Sequence, residues 1–120
     1  MSEVDFPEQE HQNALNHLKE SIPANEELES MVNVFKAFGD MTRVKIILAL
    51  SKTPLSVGEI ADTLDMSQSS ISHQLSLLRQ LNLVSSVRHG RNIHYRLSDQ
   101  HIITIFNQTK EHIIEDENDQ

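Results

Sequence analysis

The chain contains no cysteine and no tryptophan, and only three glycines and three prolines in 120 residues. Without a thiol it forms neither a disulfide nor a thiolate metal site. The lack of disulfides agrees with a reducing cytoplasm. No apolar run approaches the roughly 18 residues of a membrane span, and the acidic start lacks the features of a signal peptide; a cytoplasmic protein with no membrane partner is expected. No nucleophile and base stand at a recognisable catalytic spacing, which argues against an enzyme. A chain of this length fits one small domain with a marginal core, to which a second copy would add burial.

The formal charge of −8 is unevenly spread. Residues 1–40 carry two Lys/Arg against nine Asp/Glu, residues 41–97 seven against three, and residues 98–120 one against six. A basic centre between acidic ends marks a nucleic-acid face better than the total charge does. Residues 1–25 read as an acidic N-terminal arm, with a short helix from Glu8 to Glu20 that Pro23 terminates, and residues 26–120 as the folded domain. His11 and His17 in the arm stand six positions apart, on different helix faces, and do not form a metal pair.

Two helices open the domain. From Glu26 to Phe38, acidic residues occupy the first turn and Leu28, Met31, Val32, Phe35 and Phe38 form an apolar stripe, closed by Gly39. From Met41 to Ser51, Val44, Ile47, Leu48 and Leu50 are expected inward, with Arg43 and Lys45 outward, where Arg43 is either a solvated charge or a phosphate contact. Ser56 followed by Glu59 is a capping box, and Val57, Ile60, Ala61 and Leu64 give one face of a short helix. After a turn at Asp65 and Met66, Ser67 caps a longer helix with Ile71, Leu75, Leu78 and Leu81 as its buried stripe. That is a helix-turn-helix. The outward side of its second helix carries Ser67, Gln68, Ser69, Ser70, Ser72, His73 and Gln74, short hydrogen-bonding groups without an acid, a composition suited to base edges and phosphates. Serine-rich helix starts also serve simply as caps.

Beyond Asn82 the period changes to two. Leu83–Val87 and Ile93–Leu97 read as strands of a hairpin with Gly90 in the turn, and Arg88 and Arg91 near its tip form a basic wing able to reach a neighbouring phosphate or the minor groove. His89 and His94, on a turn and a strand, are read as structural or exposed.

The last segment returns to helical spacing. It carries Asp99 and His101 at its start, His112 and Glu115 near its end, and Ile102, Ile103, Ile105 and Phe106 between. At about 1.5 Å per residue, His101 and His112 lie roughly 16 Å apart along one helix, so they cannot share an ion within a chain. Eleven positions are close to three turns, so both point to nearly the same side. An antiparallel copy across a two-fold axis would bring Asp99 and His101 of one chain to His112 and Glu115 of the other, giving two identical sites. Two imidazoles and two carboxylates suit zinc best, and cobalt or nickel less well. The simpler reading stays open: Ser98 or Asp99 as the helix N-cap and Glu115 as part of a solvated acidic tail.

Helix, helix, helix-turn-helix, wing and terminal helix in this order resemble the ArsR/SmtB family of winged-helix metal-sensing repressors. The resemblance runs from about Val32 to Glu115 and rests on FKAFGDMTRVKIILAL, LSVGEIADTLDMSQSSISHQLSLLRQLNLV and RHGRNIHYRL. It implies a mainly α, homodimeric winged helix-turn-helix with a β-hairpin wing. Zinc-sensing members carry Asp-x-His, ten residues, then His-x-x-His/Glu in the last helix, and Asp99, His101, His112 and Glu115 fill those positions. Another branch places a cysteine motif in the first helix of the helix-turn-helix, which this chain cannot supply. The resemblance therefore implies a dimeric repressor bound to double-stranded operator DNA when metal-free and released by Zn2+, with Ile102, Ile105 and Phe106 at the dimer interface. A cobalt- or nickel-responsive repressor of the same fold, and a metal-independent dimeric interaction protein, are the alternatives.

Overall fold

The computed structural model describes residues 7–118. They fall into two compact units, divided between Val32 and Asn33. In the first, α1 (Glu8–Ser21) has no buried residue. Leu15, Leu18 and Ile22 stay 45–60% exposed. Pro23 lies in the break that follows, where its ring prevents an unbroken helix. Helix α2 (Asn25–Phe38) then starts with Glu26 and Glu27 in its first turn, where they favour the helix dipole, and ends in the second unit.

The second unit continues with α3 (Met41–Leu50), β1 (Leu55–Ser56), α4 (Val57–Leu64), α5 (Gln68–Gln80), β2 (Val84–His89), β3 (Asn92–Leu97) and α6 (Gln100–Asn118). The three strands form an antiparallel sheet in the order β1-β3-β2. Strand β1, two residues pairing Leu55 with Tyr95 and Ser56 with His94, is too short to leave a period in the sequence. The hairpin is tighter than expected: His89 pairs with Asn92, leaving Gly90 and Arg91 as a two-residue loop, with Gly90 at φ +64. That dihedral strains any residue with a Cβ and suits glycine. Arg88 therefore sits within β2, opposite Ile93, and only Arg91 is in the turn itself.

Capping explains the element boundaries. Ser56 accepts the Glu59 N–H at 3.2 Å while Glu59 Oε1 accepts the Ser56 N–H at 2.9 Å, a complete capping box. Helices α4 and α5 both end in a left-handed residue, Asp65 at φ 58 and Asn82 at φ 59. The N–H of Met66 then reaches the Ala61 carbonyl, and that of Leu83 the Leu78 carbonyl, each at 2.9 Å. This pattern satisfies orphan helix carbonyls and reverses the chain sharply, and asparagine and aspartate tolerate it better than most residues.

The core joins Ala37, Ile46, Ile47, Leu50, Ile60, Ala61, Ile71, Leu75, Leu78, Leu83, Val84 and Ile102. Helix α3 is rotated from the expected register. Ile46, Ile47 and Leu50 are buried, Val44 is half-buried and Leu48 is 46% exposed. The inward positions extend back by i−3 and i−4 to Arg43, which is half-buried rather than outward. Along α2, Phe35 is 61% exposed while Phe38 packs on Phe106 of α6, ring centroids 4.9 Å apart.

Candidate nucleic-acid interface and metal half-sites

Ile60 and Ala61 of α4 and Ile71, Leu75 and Leu78 of α5 are buried in one core, so the opposite side of α5 is turned outward. Gln68, Ser69, Ser70, Ser72 and His73 are all exposed there. Ser67, also exposed, accepts the Ser70 N–H at 3.1 Å and lies 3.2 Å from the Ser69 hydroxyl, so it serves first as the cap of α5. Its acceptor role fixes where the helix begins, and with it the orientation of the polar face.

Gln74 belongs to a different environment. It is half-buried, and its Oε1 accepts a hydrogen bond from Arg43 Nη1 at 3.2 Å. Arg43 Nε donates to the Ala37 carbonyl at 3.1 Å, and its backbone N–H to Asp40, the N-cap of α3, at 3.0 Å. Arg43 thus ties together the end of α2, the start of α3 and the middle of α5, instead of standing free as a solvated charge. Its place on the face of Ile46, Ile47 and Leu50 is the sequence signal that marks it.

Arg88 and Arg91 are exposed on the wing. At the wing's root, His94 Nε2 lies 3.5 Å from Glu59 Oε1, and the His89 and His94 rings meet edge to face with centroids 5.4 Å apart. The Glu59 carboxyl is held below its ordinary value, chiefly by the Ser56 backbone N–H, against the opposing effect of partial desolvation, and further by the Ser56 hydroxyl and by His94. The wing is therefore pinned to the first helix of the helix-turn-helix through the group that caps that helix.

At the start of α6, Asp99 and His101 lie side by side. Asp99 Oδ1 accepts the His101 backbone N–H at 2.9 Å and lies 3.1 Å from His101 Nδ1. Asp99 is therefore a helix cap as well as a metal-ligand candidate. His112 and Glu115 are exposed farther along the same helix. Within this chain the described residues contain no group of three or more side chains able to hold a metal. The apolar positions separate by environment: Ile102 is 4% exposed and belongs to the core of its own chain, Phe106 is half-buried against Phe38, and Ile105 is 40% exposed. Ile113 and Ile114 add further exposed apolar surface.

A capped short helix, a left-handed turn, a second helix with a polar outward face and a basic β-ribbon make a winged helix-turn-helix, the architecture of a DNA-reading regulator. The profile of bacterial regulatory proteins of the arsR family matches residues 40–86. The chain is 30% identical over 105 residues to a transcriptional repressor SmtB homolog of Synechocystis sp., a match spanning 88% of this chain and 80% of that one. It is 32% identical over 93 residues to a cadmium resistance transcriptional regulatory protein CadC homolog of Staphylococcus aureus, spanning 77% of this chain and 76% of that one. The crystal structure of NolR from Sinorhizobium fredii matches with a TM-score of 0.66 at 29% identity, over 92% of this chain and 95% of that one. This chain belongs to the arsR family of bacterial regulatory proteins and is a transcriptional regulator, not an enzyme. Among the described residues no helix is long and apolar enough to cross a membrane.

Proposed function

We propose that the chain is a homodimeric, cytoplasmic repressor that holds palindromic operator DNA when metal-free and releases it when zinc binds two sites between the terminal helices. The observation that carries this reading is the Asp99–His101 pair, an oxygen and an imidazole nitrogen 3.1 Å apart at the exposed start of α6, with His112 and Glu115 exposed near its other end. Each end offers one imidazole and one carboxylate, half of a four-coordinate N/O set. A two-fold axis completes both halves at once. Exposed Ile105, Ile113 and Ile114 on α6 and Phe35 on α2 support a second copy as the cover for this surface.

In this reading α5 enters the major groove with Ser67, Gln68, Ser69, Ser70, Ser72 and His73, while Arg88 and Arg91 hold the flanking backbone. Two recognition helices must stand about one DNA turn apart to read both half-sites. Asp99 and His101 of one chain with His112 and Glu115 of the other would hold the zinc, which would supply a tie between the two terminal helices. Phe106, packed against Phe38 with the rings tilted by 54°, places α6 in contact with the end of α2, so a change in the α6 angle reaches the body that carries α5. A coupling of about 1–3 kcal/mol is typical of such linkage and corresponds to roughly 5- to 150-fold in affinity.

The deciding experiment is a gel shift on the DNA upstream of the chain's own gene, with and without zinc at fixed salt. A shift abolished by zinc supports the reading. No shift at all overturns it in favour of a metal-independent interaction protein. Substituting Co2+ separates the metals: a tetrahedral spectrum supports a zinc site, and an octahedral one moves the assignment to nickel or cobalt.

A further inference from the structure

We infer that Arg43 is the positioning residue through which α6 acts on the recognition helix: its guanidinium group ties the end of α2, against which α6 packs, to Gln74 on the inner side of α5. This rests on the zinc-release reading above and names how that release would reach the DNA face.

Gln74 lies about 140° and 160° around α5 from Ser69 and Ser72, so it points away from the exposed polar face. It is half-buried, and its Oε1 accepts from Arg43 Nη1, on α3, at 3.2 Å. Arg43 Nε donates to the Ala37 carbonyl at 3.1 Å. That carbonyl shares one rigid, planar peptide with the nitrogen of Phe38, whose ring packs against Phe106 of α6 at a centroid distance of 4.9 Å. The backbone N–H of Arg43 is fixed in turn on Asp40, the N-cap of α3. From α6 to α5 the contacts therefore run without a gap: Phe106 to Phe38, the Ala37–Phe38 peptide to Arg43, and Arg43 to Gln74. A displacement of Phe106 shifts this peptide, and Arg43 carries the shift to the back of the recognition helix while its polar face stays free for DNA.

Close packing does not take over this role beside Arg43. A cleft of about 240 Å³, lined among others by Asn33 and Lys36 of α2 and by Leu77 and Gln80 of α5, opens next to the arginine. Along it α5 has room to shift against α2, and the two Arg43 bonds set the separation. The guanidinium group suits this because its N–H directions are fixed in one plane, so Nε and Nη1 hold two acceptors from two helices in a set geometry. A lysine carries its donors on one rotating ammonium and lacks that rigid fork.

The test measures affinity for the DNA upstream of the chain's own gene, with and without zinc at fixed salt, and zinc affinity of the DNA-free protein. It compares the full-length wild type, Arg43→Lys, Gln74→Met, the double variant and Lys36→Ala, with thermal melting to establish that each folds. Zinc should lower the wild type's DNA affinity by a factor within the roughly 5- to 150-fold range of such linkage. That factor should shrink by about three- to tenfold in Arg43→Lys and in Gln74→Met, the worth of one hydrogen bond, and no further in the double variant. Zinc affinity of the DNA-free protein should not change. Lys36→Ala, which alters the cleft but none of these bonds, should keep the wild-type factor. If Arg43→Lys does not fold, Gln74→Met, which leaves the Arg43–Ala37 bond in place, decides the matter alone. An unchanged release factor in the folded variants overturns the inference and leaves zinc release standing. So do further loss in the double variant, which separates the two residues, and an equal fall in DNA affinity with and without zinc, which makes Arg43 a static support. A wild type that binds the DNA but ignores zinc overturns the zinc-release reading, and the inference with it.

Discussion

Asp99 Oδ1 accepts the backbone N–H of His101 at 2.9 Å while standing 3.1 Å from the ring Nδ1 of the same residue. One carboxylate therefore both starts α6 and meets the histidine that the metal reading needs. The capping role of Asp99, read from sequence as an alternative to ligation, is compatible with it, because a carboxylate has two oxygens and about four lone-pair sites.

The two roles separate by substitution. Asn is as good an N-cap as Asp, so Asp99→Asn should leave the urea midpoint nearly unchanged. It removes the charge of the proposed ligand, so zinc affinity, measured by competition with a chromophoric chelator, should fall by about tenfold or more. His101→Ala should remove the zinc response and leave dimer and DNA binding intact. Collapse of the dimer in that variant would show that His101 is structural.

Ile102 and Ile105 make a matched pair. Ile102 is in the chain's own core at 4% exposure, and its truncation to Ala should cost about 2–5 kcal/mol in denaturant unfolding. Ile105, at 40% exposure, has little burial to lose within the chain. Its substitution by Ala should instead raise the dimer dissociation constant in sedimentation equilibrium. An unchanged dimer would remove Ile105 from the interface.

Glu59 gives a pH prediction with a defined sign. Its folded-state pKa lies below the ordinary value of 4.5, chiefly through the Ser56 N–H. A depressed carboxylate stabilises the fold above its unfolded pKa and loses that contribution as pH falls through the folded value. The stability advantage of the wild type over Glu59→Gln should therefore be full at pH 5.5 and shrink below pH about 4.5. A constant difference in urea midpoint from pH 5.5 to 3.5 would contradict it.

Arg88 and Arg91 are exposed on the wing, one within β2 and one in the turn. If each neutralises one phosphate, Arg88→Ala and Arg91→Ala should each lower the slope of log affinity against log salt by about one and weaken all sequences alike. A change in base preference without a change in slope would place that arginine in a groove.

The elements were legible because their signals are local. Helix stripes, the Ser56–Glu59 capping box, Ser67 as a cap and the two-residue period around Gly90 all act within a few residues, and each appears where those signals place it. The α3 register was not legible, since Val44, Leu48, Ile46 and Ile47 are all apolar and spacing alone does not choose which pair faces the core. Strand β1 needed its partner β3 to exist.

What the sequence determined by itself was the order of the elements, the basic centre between acidic ends, and the exclusion of disulfides and thiolate metal sites. The tertiary structure decided the environment of each side chain. It turned Arg43 inward onto Gln74, enclosed Ile102 in the core, left Ile105 exposed, and joined Asp99 to His101. Helical and strand periods are set by backbone geometry within one element, whereas burial and hydrogen-bond partners depend on which elements pack together.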